Sequence, residues 1–235
     1  MKKYRVPYKK RVPYITTNRV DAKGKVYEVP SVTTIIKYLG DNEGLTAWAI
    51  RETFKNINWE KRTIGDYKES TKWYADIGTT FHEHVESVLL QRDPDLISKG
   101  YDQQIIDEIA YCVADFKQWE SRHKLTDIAV EERFVSDEYE LGGTVDLLAC
   151  VDGINEVIDF KTGAVSEWKH KLQVVAYMKI VNNVLGEDRY TQGRIVYCHR
   201  SKNIKLTEII VYPDEVDVLW RCMKAAHFLY INLFK

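Results

Sequence analysis

Apolar and polar positions along the chain change period several times, and each change marks an element. Between Val20 and Val26 the run Asp-Ala-Lys-Gly-Lys carries turn residues, so residues 14–30 read as a small hairpin. Pro30-Ser31 then precedes Val32-Thr33-Thr34-Ile35-Ile36. Ser31 is placed to cap a helix there, because its hydroxyl can accept from backbone amides that are free in a first turn. Residues 44–56 read as a helix with Leu45, Trp48, Ala49 and Thr53 on one side. The stretch 58–72 is polar and without a pattern, which predicts a loop. Helical spacing of apolar residues returns over 73–91 and 102–123.

Beyond that point the period shortens. Residues 128–135, 144–151 and 156–160 read as three strands, with Gly142-Gly143 and Asp152-Gly153 as turns. A helix over 166–185 closes at Gly186, a residue suited to a C-cap. Residues 194–199 and 205–211 read as two more strands, and Pro213-Asp214 opens a last helix that runs to about residue 234. This order predicts an α/β fold, a mixed central sheet flanked by helices. No repeat or low-complexity linker interrupts the chain. Residues 1–72 are expected to form an N-terminal arm and helical lobe, and 73–235 the core.

Composition narrows the function classes. The 235 residues are 45% hydrophobic, enough for a sizeable buried core. No long uncharged apolar run exists, so no membrane span is expected. The basic N-terminus leads into no apolar stretch, so no secretory signal is expected either. Cys112, Cys150, Cys198 and Cys222 are scattered without C-x-x-C spacing, which argues against a clustered zinc or iron–sulfur site. Free thiols fit a reducing, cytoplasmic setting. The formal net charge is -1, so attraction to nucleic acid requires local patches. One such patch is Lys2, Lys3, Arg5, Lys9, Lys10 and Arg11, interleaved with Tyr4, Tyr8 and Tyr14. It is either a solvated, frayed terminus or an arm that touches substrate.

The informative segment is Gly142-Gly-Thr-Val-Asp146, followed by Val157-Ile-Asp159-Phe-Lys161-Thr-Gly163. Strand side chains alternate, so Asp159 and Lys161 share one face while Ile158 and Phe160 take the other. Asp146, on the preceding strand of the same hairpin, is placed to lie beside Asp159. Two adjacent carboxylates are costly unless a cation sits between them. Hard oxygen ligands suit Mg²⁺ or Mn²⁺, and a lysine two residues on can hold a water there. Those parts suit phosphodiester hydrolysis. The bland alternative is a surface hairpin with ordinary charges. It is disfavoured because these charges end a strand that is otherwise apolar, where an unpaired carboxylate is expensive.

Two further pieces converge. Gly78, His82 and Glu86 recur at four-residue spacing on one helix face. The glycine would allow close approach of a neighbour. His82 and His84 point apart on a helix and do not make a zinc pair. Gln173 and Tyr177 repeat the four-residue spacing; by themselves they describe only an amphipathic helix with a buried tyrosine.

Together these segments resemble the RecB-like branch of the PD-(D/E)XK nucleases, which includes phage exonucleases and the mitochondrial genome maintenance exonuclease. The branch's pattern is G-x-x-x-H-x-x-x-E, a first-strand acid, G-x-x-D, an apolar residue before D-x-K-T, and Q-x-x-x-Y. Here it is matched by Gly78/His82/Glu86, by Glu131 or Glu132, by Gly143/Asp146, by Asp159/Lys161/Thr162 and by Gln173/Tyr177, over roughly residues 73–185. Glu131 fits by spacing to the apolar run. Glu132 fits by alternation with Ile128, Val130 and Phe134. Pro30-Ser31-Val32-Thr33-Thr34 resembles a P-S-V-T segment found ahead of the core in such exonucleases.

The resemblance implies a restriction-endonuclease-like core and a set of roles. His82, Asp146, Asp159 and the Phe160 carbonyl would ligate metal. Lys161 would position the attacking water. Gln173 and Tyr177 would orient substrate or catalytic groups, and the first-strand acid would join them. Ser31, Thr33, Thr34, Glu86 and Thr162 would face substrate, although Ser31 also has its capping role. Many relatives hold an iron–sulfur cluster with four cysteines that bracket the core. The cysteines here lack that grouping, so no cluster is expected. No G-x-x-x-x-G-K-[ST] loop is present, so no helicase activity is expected. The expectation is a Mg²⁺- or Mn²⁺-dependent exonuclease acting on DNA ends, preferring single strands, in phage-like replication, recombination or degradation. Proteins of those processes are its expected partners, and the host cytoplasm its setting if viral. An endonuclease of the same fold and a non-catalytic nucleic-acid binder are the alternatives.

Overall fold

The computed structural model describes residues 13–20, 26–40, 57–58, 63–64, 67–96, 100–201, 203–204 and 206–233. Strands β1 (Tyr14–Val20) and β2 (Val26–Val29) pair antiparallel with Tyr14 opposite Val29, the hairpin expected from the sequence. Helix α1 (Val32–Tyr38) follows. Ser31 caps it, its Oγ accepting the Thr34 N–H, while Val32, Ile35 and Ile36 are buried beneath. The helix expected over 44–56 lies outside the described residues.

The loop expected over 58–72 needs correction. β3 (Ile57–Asn58) pairs with β4 (Thr63–Ile64), and helix α2 runs Tyr67–Leu89, starting six residues before the expected 73. The missed turns carry no apolar stripe because they run ahead of the core. Thr71 and Lys72 are exposed, and the first buried side chain described in α2 is Ile77.

Helix α3 (Gln103–Glu120) is capped by Asp102, whose carboxylate accepts the Gln104 N–H. Then come β5 (Leu125–Ser136), β6 (Leu141–Val151), β7 (Ile154–Lys161), α4 (Glu167–Leu185), β8 (Gln192–Tyr197), β9 (Thr207–Val211) and α5 (Pro213–Leu233). The last residue of α4 is followed by Gly186 at φ 72, a left-handed cap that glycine adopts without a Cβ clash.

The five strands lie in the order β5-β6-β7-β8-β9. Every pair is antiparallel except β7–β8, the parallel pair that α4 connects. One face of the sheet packs on α1, α4 and α5 through Leu172, Val175, Tyr197 and Trp220. The other packs on α2 and α3 through Phe81, Ile109, Phe116 and Phe160. With both faces covered, the central strands are buried almost throughout, and their polar members Gln192 and Arg194 are paired with Glu156. This is the mixed α/β architecture with flanking helices that the sequence predicts.

Strict alternation in β5 fails at Asp127, where the register with β6 shifts between Thr126 and Ala129, and again at Glu131, where the site lies. Val145 and Leu148, three residues apart, both reach the α4 face, while Leu147 reaches the α2–α3 face. Across the pairing, Ala129 and Phe134 pack on the α4 side and Val130 on the other. Glu131 sits in that break with φ 53, left-handed backbone that a non-glycine residue rarely adopts. Because Val130 pairs with Leu147 and Glu132 with Val145, Glu131 stands opposite Asp146.

Candidate active site

The site is built where β6 and β7 part. Their pairing ends at Leu147 opposite Ile158, while β7 stays paired with β8 through Lys161 opposite Tyr197. In the resulting fork the Phe160 N–H donates to Asp146 Oδ2 at 2.8 Å. A strand residue's N–H and C=O leave on the same edge, so the Phe160 carbonyl also faces the fork.

Helix α2 brings His82 to this fork from the α2–α3 side. Its Nδ1 lies 3.4 Å from Asp146 Oδ1 and 3.6 Å from Glu131 Oε1. One ligand atom from each of His82, Glu131 and Asp146 lies within 4.8 Å of the others. One imidazole, two carboxylates and a nearby carbonyl form a donor set that suits a hard or borderline divalent cation.

The other half of the fork belongs to α4. Asp159 is 1% exposed; its Oδ2 is ion-paired with Lys161 Nζ at 2.6 Å without an aligned hydrogen bond. Its Oδ1 accepts from Gln173 Nε2 at 3.0 Å, and the same amide reaches the Tyr177 hydroxyl at 3.1 Å. Gln173 and Tyr177 can share this task because four residues on a helix bring them onto one face. The Tyr177 ring lies so close to Gly143 that a Cβ there would come within 3 Å of its ring edge. Beside it, the Tyr14 hydroxyl meets Thr144 Oγ1 at 2.8 Å, tying the N-terminal hairpin to β6.

Charge in the fork is tightly linked. Burial raises the Asp159 carboxyl, Lys161 opposes this and Asp146 adds to it, leaving it pushed up to about 6. Burial also works against ionised Asp146, but His82, Lys161 and the Phe160 N–H hold it below the usual carboxylate range. Burial disfavours protonated His82, yet Asp146 and Glu131 override it and push the ring up to about 10. Lys161 is likewise opposed by burial and kept charged by Asp159 and Asp146. The fork therefore collects negative charge that His82 neutralises by holding a proton. A divalent cation would take over that task and release the proton.

The structure brings together His82, Glu131, Asp146, Asp159, Phe160, Lys161, Gln173 and Tyr177. Of the two candidate first-strand acids, Glu131 meets His82, whereas Glu132 is exposed. The left-handed backbone at Glu131 itself is the reason, and alternation in the sequence points the other way. Thr162 is half-buried and faces Gly78: a Cβ at Gly78 would meet its Oγ1 at 3.7 Å, ordinary contact. The close approach expected at Gly78 occurs at Gly143 instead. Glu86 lies one turn beyond His82, and no described hydrogen bond or ion pair joins it to the cluster. Ser31 Oγ is occupied by the α1 cap and by Thr33 and Thr34 Oγ1 at 3.0 and 2.8 Å. Ser31 also bridges to Gly142, which puts this hydroxyl group at the site end of β6. Among aromatics considered for stacking, Trp73 packs on the core and Tyr38 packs on Tyr230. Tyr74 is exposed, with the Arg200 guanidinium 4.5 Å from its ring centroid. Trp48, Arg51 and the first eleven residues lie outside the described residues. The sequence marks Tyr14 only as part of the basic arm and Thr144 only as part of the Gly142–Asp146 segment; a tyrosine in a basic arm carries no signal for a partner 130 residues away.

A model of the PD-(D/E)XK nuclease superfamily matches residues 58–221. Among solved structures, a candidate exonuclease from Eubacterium rectale is similar at 11% identity and a TM-score of 0.46, over 65% of this chain. The chain spans 64% of that protein's length. The protein SSO0001 is similar at 15% identity and a TM-score of 0.33, over 65% of this chain and 74% of that one. No curated protein matches the chain in sequence.

Proposed function

The chain belongs to the PD-(D/E)XK nuclease superfamily, and on that premise we propose that it is a metal-dependent deoxyribonuclease of the RecB-like branch, hydrolysing DNA from its ends with a preference for single strands. The observation that carries this reading is the convergence of His82, Glu131 and Asp146 within 4.8 Å at the fork that also bears Asp159 and Lys161. The family uses divalent metal, and oxygen-rich ligation favours Mg²⁺ or Mn²⁺. His82, Glu131, Asp146 and the Phe160 carbonyl would hold the ion, with Asp159 beside them. Bound there, it would polarise a phosphate oxygen and make water more acidic.

The chain's own groups do the rest. Lys161 stays protonated and can donate to a water or to a phosphate oxygen. Gln173 fixes Asp159, and so fixes Lys161, while the Tyr177 ring against Gly143 holds Gln173 in place. On one side of the fork stand β1, β2 and α1; on the other stands α2. Tyr74 beneath Arg200 offers a stacking surface with a cation for the backbone. No described helix is long and apolar enough to cross a membrane.

Incubation of closed circular single-stranded DNA beside its linearised form, with Mg²⁺ or Mn²⁺, tests the reading. The linear form should disappear while the circle persists. Equal cleavage of the circle would overturn end-dependence and favour an endonuclease.

A further inference from the structure

Past Lys161 lies a second polar group that the metal cluster does not use. Tyr197, opposite Lys161 in the β7–β8 register, is fully buried. Its hydroxyl stands 2.6 Å from His170 Nδ1 at the start of α4. The proton inventory then favours one tautomer. A phenol has one proton, and a buried hydroxyl that leaves it unpaired is costly. His170 Nδ1 is the acceptor in reach, so Tyr197 donates to it and the ring proton resides on Nε2. Burial, Lys161 and Lys169 push the His170 ring down to about 4, in keeping with an uncharged ring. Nε2 is not buried and has no hydrogen-bond partner among the described residues.

Position gives this N–H its use. His170, Gln173 and Tyr177 recur at three and four residues, which places them on one face of α4. That face meets Asp159 through Gln173. A ring whose Nδ1 accepts from Tyr197 and whose Nε2 carries hydrogen can donate only from Nε2. Beside two lysines, the ligand that takes such a donor is an anionic oxygen.

We propose that His170 is a substrate-contacting residue whose Nε2–H donates to a non-bridging phosphate oxygen of the bound strand, on the Lys161 side of the reacting phosphate, with Tyr197 fixing the ring. The inference rests on the nuclease reading above. Steady-state digestion of an end-labelled linear single strand with Mn²⁺ tests it, each variant being melted alongside. His170→Phe should raise KM about tenfold, the scale of one hydrogen bond to a charged partner, with kcat near wild type. His170→Gln, whose amide can reach the Nε2 position, should restore most of the loss. Tyr197→Phe should fall between, and the double variant should be no worse than His170→Phe. If His170→Phe does not fold, His170→Ala takes its place. An unchanged KM, a loss confined to kcat, or a His170→Gln variant as poor as His170→Phe overturns this inference alone. A wild-type protein that cleaves no strand overturns both it and the nuclease reading.

Discussion

Gly143→Ala should damage both stability and catalysis, although it adds one methyl group. The new Cβ would lie 2.8 Å from Tyr177 Cδ1 and closer still to Cε1. Carbon contacts sit at about 3.5–4.0 Å, so the ring must retreat by roughly 1 Å. The strand cannot easily give way instead, because Gly143 is paired with Phe134 and Gly142 N–H donates to the Pro30 carbonyl at 3.1 Å. Overpacking of this kind costs about 1–3 kcal/mol, and each kcal/mol lowers Tm by about 2–4 °C in a chain of this size. Retreat of the ring also pulls the Tyr177 hydroxyl from Gln173, and Gln173 holds Asp159. Misplacement by about 1 Å costs up to about a hundredfold in rate, so kcat should fall about ten- to a hundredfold. Gly78→Ala is the control. There a Cβ meets only Thr162 Oγ1 at 3.7 Å, and replacing a helical glycine should gain about 1 kcal/mol. Thermal melts and digestion of a labelled oligonucleotide measure both effects. A Gly143→Ala protein as stable and active as wild type would refute the role given to the Tyr177 contact.

Further outcomes follow from the fork. Glu131→Gln should weaken Mn²⁺ binding, while Glu132→Gln should leave it unchanged; calorimetric titration decides, and equal effects would remove the significance of the left-handed residue. Lys161→Ala should bind Mn²⁺ normally yet lose about a hundredfold or more in rate, whereas excess Mn²⁺ should partly rescue His82→Ala. Rescue of both would mean the roles are wrongly divided. In the metal-free protein the His82 proton stabilises the fold fully below the ring's ordinary value and is lost as pH rises through about 10. Metal must displace that proton, so Mn²⁺ affinity should rise from about pH 6.5 to 8.5, by at most about tenfold per unit. A flat profile in that range would contradict the ligand role of His82.

Most of the core was legible because its signals are local. The turn at Asp152-Gly153, the helical spacing in α4 and its glycine stop each act within a few residues, whereas Gly142 and Gly143, expected to form a turn, lie inside β6 paired with Val135 and Phe134, and the chain turns at residues 137–140 instead. Asp159, Lys161, Gln173 and Tyr177 were legible for the same reason: two periods, one of strand and one of helix, set their faces. What escaped depends on backbone exceptions and distant partners. Alternation through Val130 and Phe134 favours Glu132, and only the φ of 53 at Glu131 reverses it. The first turns of α2 escaped because a helix that projects beyond the core needs no apolar stripe. Gly78 and Gly143 look alike in sequence, but only Gly143 has a buried ring against it. Tyr14 and His170 find Thr144 and Tyr197 across strands and helices, at separations that no short spacing encodes.

The central claim is that a divalent ion held by His82, Glu131 and Asp146 drives phosphodiester cleavage. The most direct test is digestion of an end-labelled linear single strand across a Mn²⁺ titration, by wild type and by Asp146→Asn. Asp146 supplies a ligand oxygen, contacts His82 at 3.4 Å and accepts the Phe160 N–H, so one substitution removes a ligand while the fold remains. The account predicts cleavage by wild type that rises with Mn²⁺ and vanishes in chelator, and none by Asp146→Asn at any concentration while its melt stays cooperative. Cleavage by wild type in chelator, or by a folded Asp146→Asn protein at the wild-type rate, would contradict it.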